Sequence, residues 1–233
     1  MEFIDQIFII NYNSNKWDDC EKYLIEKNIK NYTKVDFIKK EFNSLDKRKY
    51  ENFSHKYLKM KNLIKNTNDY IQFEYFLKET HLNIINISIE KKYNNILVLE
   101  DNFSFIDNFN DKFSNILKDA ENNYFGFLYL SDLELNSEKI FYNDNLFKIN
   151  GIHDTFAICY NKRIFNNLKI SIEESKCEYD KLLFSKFIKK YMVFVSNSIL
   201  IVKRDNNNII NEFNVENVKS LKNISKKFRN FVI

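Results

Sequence analysis

The 233 residues of the chain are 44% hydrophobic and 16% aromatic, enough to fill the core of one substantial domain. Charged residues make up 29%, the two signs are interleaved, and the formal net charge is only +4, which excludes a disordered polyelectrolyte and suits a phosphate-bearing ligand no better than a solvated surface. No window approaches the roughly 18 apolar residues of a membrane span, and no basic segment leads into an apolar run at the N-terminus, so the expectation is a soluble, cytoplasmic protein without signal peptide or transmembrane segment.

Cys20, Cys159 and Cys177 are odd in number and lack C-x-x-C spacing, and with three scattered histidines they form no zinc pattern. They fit a reducing compartment. Proline is absent, glycine occurs twice, and Asn, Lys, Ile, Phe and Tyr dominate, a bias that the AT-rich coding sequence of a low-GC bacterium or a large DNA virus imposes.

In chain order, DQIFIINYN (5–13) reads as a short buried strand ending in polar residues. Trp17, Cys20, Tyr23, Leu24 and Glu26 follow at helical spacing, and YTKVDFIK (32–39) reads as a second strand. From Lys47 to Lys92 the pattern is helical and too long for one globular helix, so two or more are expected. NNILVLEDNFSF (94–105) places a fully apolar strand, 95–100, against the acids Glu100 and Asp101. An amphipathic helix near 109–120 precedes the strand FGFLYLS (125–131), and KIFYNDNLFKI (139–149) reads as a hairpin turning at Asn143–Asn145. HDTFAICYN (153–161) leads as a strand into the helix KRIFNNL, another helix covers about 178–190, and MVFVSNSILIVKR (192–204) is strand-rich. The last stretch carries Lys219, Lys222, Lys226, Lys227 and Arg229 around Val215, Val218, Leu221, Ile224 and Phe228, a basic amphipathic helix. Such a helix can dock on the domain, touch an anionic membrane surface peripherally, or bind an acidic partner. No nucleic-acid motif accompanies it, so no nucleic-acid partner is expected.

Strands alternating with helices predict an α/β domain over residues 1–212, its central sheet mainly parallel and flanked by helices, with the basic helix at 213–233. Ligands of such sheets bind beyond the carboxyl ends of the strands. Asn11, Asp36, Glu100, Asp101, Ser131 and Asp132 each follow a strand and are expected near one edge. An acidic pair at a rigid strand end is suited to holding a divalent cation, which prefers oxygen ligands and neutralises a diphosphate leaving group. The same acids also serve as an ordinary solvated strand end or helix cap.

Six segments in order extend this reading. ETHLNIINISIEKKYNNILVLEDN resembles the part of glycosyltransferase family 25 with a Ser-His pair, a helix and then LEDD; Thr80-His81 stands at the pair, and Glu100 follows at the family's separation. The opening strand, helix and second strand resemble the family's N-terminus ending in Val-Asp, here Val35-Asp36. GFLYLS, GIHDTFAICYNKRIFNNL, EYDKLLFSKF and VFVSNSILIVKRDNNNII are similar to its later segments, so the resemblance covers about residues 5–210. The family includes lipooligosaccharide and procollagen galactosyltransferases. The resemblance implies a GT-A type nucleotide-binding fold, a UDP-sugar donor, Mn2+ or Mg2+, an inverting transfer of a hexose (galactose or glucose), and a glycan or hydroxylysine-containing, collagen-like acceptor.

By the same resemblance, Asp101 is a metal ligand with Glu100 and Asn102 as further candidates, and Asn11, Asp36, Thr80, His81 and Glu100 line the nucleotide-sugar site; apart from it, His153 with Asp154 is a candidate metal or acceptor contact. Asp180, the isolated Asp at a helix start, is the candidate base that takes the acceptor proton, with Asp132 as the alternative. For each there is a plainer reading: a strand-end polar group, a satisfied helical histidine, or a first-turn carboxylate. The chain also departs from the family. Asn102 replaces the last acid of LEDD, Lys16 is the nearest cation where the family has arginines, and the Ser-Asp-Ile end is Asn-rich. These departures keep open a second reading, a non-catalytic relative that binds glycans or acts as a scaffold.

Overall fold

The computed structural model describes residues 3–12, 17–38, 67–131, 139–149, 155–175, 191–197 and 200–203. Ten strands and four α-helices lie there: β1 Gln6–Asn11, α1 Trp17–Glu26, β2 Tyr32–Asp36, α2 Thr67–Glu90, β3 Asn95–Glu100, β4 Phe103–Phe105, α3 Phe109–Asn122, β5 Phe125–Tyr129, β6 Lys139–Asn143, β7 Leu146–Ile149, β8 Ala157–Asn161, α4 Phe165–Glu174, β9 Met192–Ser196 and β10 Ile201–Lys203.

Eight strands form one sheet in the order β2-β1-β3-β8-β5-β9-β7-β6. The expected mainly parallel sheet is corrected to a mixed one. The β1–β2, β1–β3 and β5–β9 pairs are parallel, whereas β3–β8, β5–β8, β7–β9 and β6–β7 are antiparallel. The error arose at β8, whose run of apolar residues looks the same whichever way the strand points; it inserts between β3 and β5 in reverse. Those two strands still share a direction across it, so β1, β2, β3, β5 and β9 direct their carboxyl ends to one edge.

Period-two alternation divides the strand side chains between two cores. Phe8, Ile10, Ile96 and Val98 face the layer containing Phe76, Ile84 and Ile85 of α2 and Leu168 and Ile172 of α4. Ile7, Ile9, Leu97 and Leu99 face the layer containing Trp17, Cys20 and Leu24 of α1 and Phe113, Ile116 and Leu117 of α3. A sheet covered on both faces explains why β1, β3, β5 and β8 are apolar between their ends. The 47–66 part of the expected helical region lies outside the described residues; its described remainder holds one helix, α2, of 24 residues. The hairpin turns where its sequence places it, and Asn143 Oδ1 accepts from the amides of Asn145 (3.0 Å) and Leu146 (2.9 Å). Cys20 and Cys159 are buried free thiols, and burial pushes the Cys159 thiol well above its ordinary range, with Glu121 adding to the shift. The expected helices at about 178–190 and 213–233 lie outside the described residues.

β4 was not legible. It is three residues long and, among the described residues, pairs only with β10, from Phe103↔Lys203 to Phe105↔Ile201. Ser131 joins this corner through a parallel bridge to Ile201.

Gly126 sits where the β5–β9 register slips. A methyl group there would lie 2.8 Å from Ile164 Cγ2 and 2.9 Å from Tyr191 Cβ. Both atoms belong to packed walls, so Gly126→Ala should lower stability by about 1–3 kcal/mol, read as a fall in the calorimetric melting temperature.

Candidate functional site

The connections diverge at β1 and β3. From β1 the chain passes through α1 to β2 on one side; from β3 it passes through α3 to β5 on the other, and both helices cover the same face. A crevice forms at the carboxyl edge where neighbouring connections part in opposite directions, and ligands of α/β sheets bind there. At this boundary lie Asn11 and Tyr12 from β1, and Glu100, Asp101 and Asn102 from β3.

Register fixes these residues against one another. Asn11 stands opposite Asp36 and Ile10 opposite Glu100, and the Asp101 amide donates to the Ile10 carbonyl at 3.1 Å. The Asp101 carboxylate, in a residue only 8% exposed, accepts from the Tyr12 amide through Oδ2 at 2.9 Å. That bond ties the chain leaving β1 to the chain leaving β3. Glu100 is half-buried, and its amide donates to the Phe156 carbonyl at 3.1 Å.

Asn11 is buried, and its Nδ2 donates to Asp36 Oδ1 at 3.0 Å. This hydrogen bond, ahead of a smaller opposing effect of burial and a contribution from Lys34, holds the Asp36 carboxyl below its usual range. Lys34 Nζ lies 3.4 Å from the same oxygen, and the Asp36 side chain is 76% exposed, which leaves it open to solvent and ligand alike. Beside the pair, Tyr12, Phe37 and Phe73 form an aromatic wall, with ring centroids 4.9 Å (Tyr12–Phe37), 5.8 Å (Tyr12–Phe73) and 5.3 Å (Phe37–Phe73) apart. Sequence reasoning missed this wall, because in a chain so rich in Phe and Tyr nothing marks three rings as meeting.

Thr80 and His81 turn inward. Thr80 Oγ1 accepts from the Ile38 amide (3.1 Å) and donates to the Phe76 carbonyl (2.8 Å), so it fastens α2 to the segment leaving β2. His81 is 1% exposed and packs edge-on to Tyr160, whose hydroxyl lies 3.4 Å from Nδ1. Burial lowers its pKa to about 3, which keeps the imidazole neutral. In this arrangement both residues hold the helix to the sheet. Ser131 is buried at the carboxyl end of β5, whereas Asp132, His153 and Asp180 lie outside the described residues.

The oxygen set suits a hard cation held jointly with a substrate. Asn11 Oδ1 and Asn102 Oδ1 are buried and make no hydrogen bond among the described residues, and Asn102 adjoins Asp101. No cluster of three His, Cys, Asp or Glu side chains able to hold a metal occurs among the described residues. One carboxylate with a neighbouring amide oxygen matches the way Mg2+ or Mn2+ is shared with diphosphate and water, without an all-protein cage. Asp101 and Asn102 would hold it.

No protein-family model and no curated protein matches the chain. Among solved structures it is similar to a glycosyltransferase involved in glycosylation of the major capsid of PBCV-1, at TM-score 0.46 and 10% identity, over 93% of this chain and 98% of that one. It is also similar to apo-UDP-glucose pyrophosphorylase, at TM-score 0.45 and 10% identity, over 96% and 82% of the two chains. A third likeness is to the mannose-1-phosphate geranyltransferase of Thermus thermophilus, at TM-score 0.44 and 8% identity, over 82% and 73%. Likenesses this distant assign neither a family nor an activity. Among the described residues, no helix is long and apolar enough to cross a membrane.

Proposed function

We propose that the chain is a UDP-sugar-dependent, inverting glycosyltransferase that passes a hexose to a glycan or hydroxylysine-containing acceptor. One observation carries the reading: the Asp101 carboxylate is clamped to the Tyr12 amide where the β1 and β3 connections diverge, next to the Asn11–Asp36 pair. The sequence resemblance places its diphosphate-side acids at this same point.

Each part has a physical role. The aromatic wall of Tyr12, Phe37 and Phe73 offers an apolar flank for a nucleobase. Asp36, exposed and kept ionised by Asn11, accepts hydrogen bonds from base or ribose. A divalent cation bound at Asp101 and Asn102 supplies charge neutralisation of the departing diphosphate. Asp180 removes the acceptor hydroxyl's proton as that oxygen bonds to the anomeric carbon and the bond to UDP breaks; Asp132 is the alternative base.

Purified protein with Mn2+ should release UDP from at least one member of a UDP-sugar panel in a luminescence assay. A chain that neither binds nor hydrolyses any of them would refute the proposal. Asn102, an amide where the resembling family has an acid, favours a second reading as a glycan-binding module. Titration calorimetry separates the two, because such a module binds glycan without Mn2+-dependent affinity for UDP.

A further inference from the structure

The other end of the sheet carries a cleft of about 410 Å³ that the transfer reaction does not use. It is lined by residues at the start of β3 and the end of β8, together with Asp5 and Glu121. Asn95 and Asp101 are six residues apart along β3, so the cleft lies about 20 Å from the diphosphate edge.

Its floor is a fixed polar network. Asp5 Oδ2 accepts from the amides of Asn94 (2.6 Å) and Asn95 (2.9 Å). Asn161 Nδ2 donates to Asn95 Oδ1 at 2.8 Å, and Asn95 Nδ2 donates to Glu121. Lys162 Nζ donates to Asn94 Oδ1 at 2.7 Å. Arg163 is different. Its guanidinium lies 4.6 Å from the centroid of the Tyr124 ring and makes no ion pair or hydrogen bond among the described residues, and Arg163 itself lines the cleft.

Tyr124 is itself anomalous. It follows α3 with φ 56°, a left-handed conformation in which Gly or Asn usually ends a helix, and the residue is 70% exposed even with Arg163 against its ring. An aromatic residue in this backbone state is strained, and in return it presents a broad apolar surface beside Arg163, which lines the cleft. Two carboxylates (Asp5, Glu121) and two cations (Lys162, Arg163) balance, so the cleft favours neither an anion nor a cation. Planar amide, carboxylate and guanidinium groups offer adjacent donors and acceptors, which vicinal hydroxyls match because each hydroxyl both donates and accepts. The ring supplies a partner for the C–H face of a pyranose.

We propose that this amino-edge cleft, with the Tyr124 ring beside its Arg163, is a second carbohydrate site that binds neutral pyranosides apart from the diphosphate edge. The site does not depend on the proposed transferase activity. The test is an amide NMR titration of the full chain with methyl glucoside, methyl galactoside, methyl mannoside and N-acetylglucosamine at millimolar concentration, with inorganic phosphate as the anionic control. The pyranosides should shift Asn94, Asn95, Tyr124, Asn161 and Arg163 while leaving Tyr12 and Asp101 unmoved. Tyr124→Gly should weaken binding about fivefold or more, the loss of one ring contact. It should hold or raise the melting temperature, since glycine takes this backbone without strain. Arg163→Lys, which keeps the charge and loses the fork, should also weaken binding. The proposal is overturned if none of the four sugars shifts these amides, if phosphate shifts them as strongly, or if Tyr124→Gly binds like the parent.

Discussion

Asp101→Asn should lower Mn2+-dependent UDP release by about 100-fold or more while leaving the melting temperature within a few degrees of the parent. The asparagine keeps an oxygen that can accept from the Tyr12 amide, a bond of 2.9 Å, but it loses the charge that a cation and diphosphate need. Asp101→Ala removes both. It should abolish activity and also cost about 1–3 kcal/mol in stability, because the part-buried Tyr12 amide loses the Asp101 acceptor. Two readouts, turnover and denaturant midpoint, therefore separate the site's chemistry from its scaffolding. Full activity in Asp101→Asn would remove the metal assignment, whatever its effect on folding.

The second large effect concerns acid. His81 is neutral in the folded protein with a pKa of about 3, against 6.5 for an unburied histidine. The unfolded chain therefore takes up a proton below about pH 6.5 that the folded chain refuses. Stability contributed by this group falls as pH drops from 6.5 towards 3, by up to about 1.4 kcal/mol per unit, and is independent of pH above that window. Carboxylates begin to titrate near the lower end, so the diagnostic range is pH 5 to 6.5. Chemical denaturation across that range should show a slope in the parent that His81→Gln lacks. Equal slopes in the two proteins would mean that the imidazole is hydrated in the fold.

How far the sequence disclosed this molecule depended on whether the signal was local. The strands β1, β3, β5 and β8 announced themselves through apolar runs, and the hairpin through Asn143–Asn145, because burial and turn chemistry are written within a few residues. Strand direction is not local, and the antiparallel insertion of β8 between β3 and β5 leaves no trace in its own five residues. The edge position of Asn11, Asp36, Glu100 and Asp101 followed from strand ends, and the structure gathers all four. The inward turn of Thr80 and His81 did not follow, since a helix spacing alone does not say which face meets the sheet. At the amino edge the signal was present but hidden. Asn94, Asn95 and Asn161 sit in a chain saturated with asparagine, so their convergence looked like genomic bias until the fold brought them together.

The pairing of β4 with β10 has a consequence for how the protein is made. It joins residues roughly 100 positions apart, and β4 begins immediately after Asn102. During synthesis β1, β2 and β3 emerge first and can pair as soon as they leave the ribosome, whereas the β4–β10 pair beside Asp101 and Asn102 must wait for residues 201–203. A growing chain therefore carries its acidic corner unbraced until β10 has been made. Nascent or prematurely terminated chains should accordingly hold the Asp101 corner loosely, which reserves its rigid form for chains that have been translated through β10.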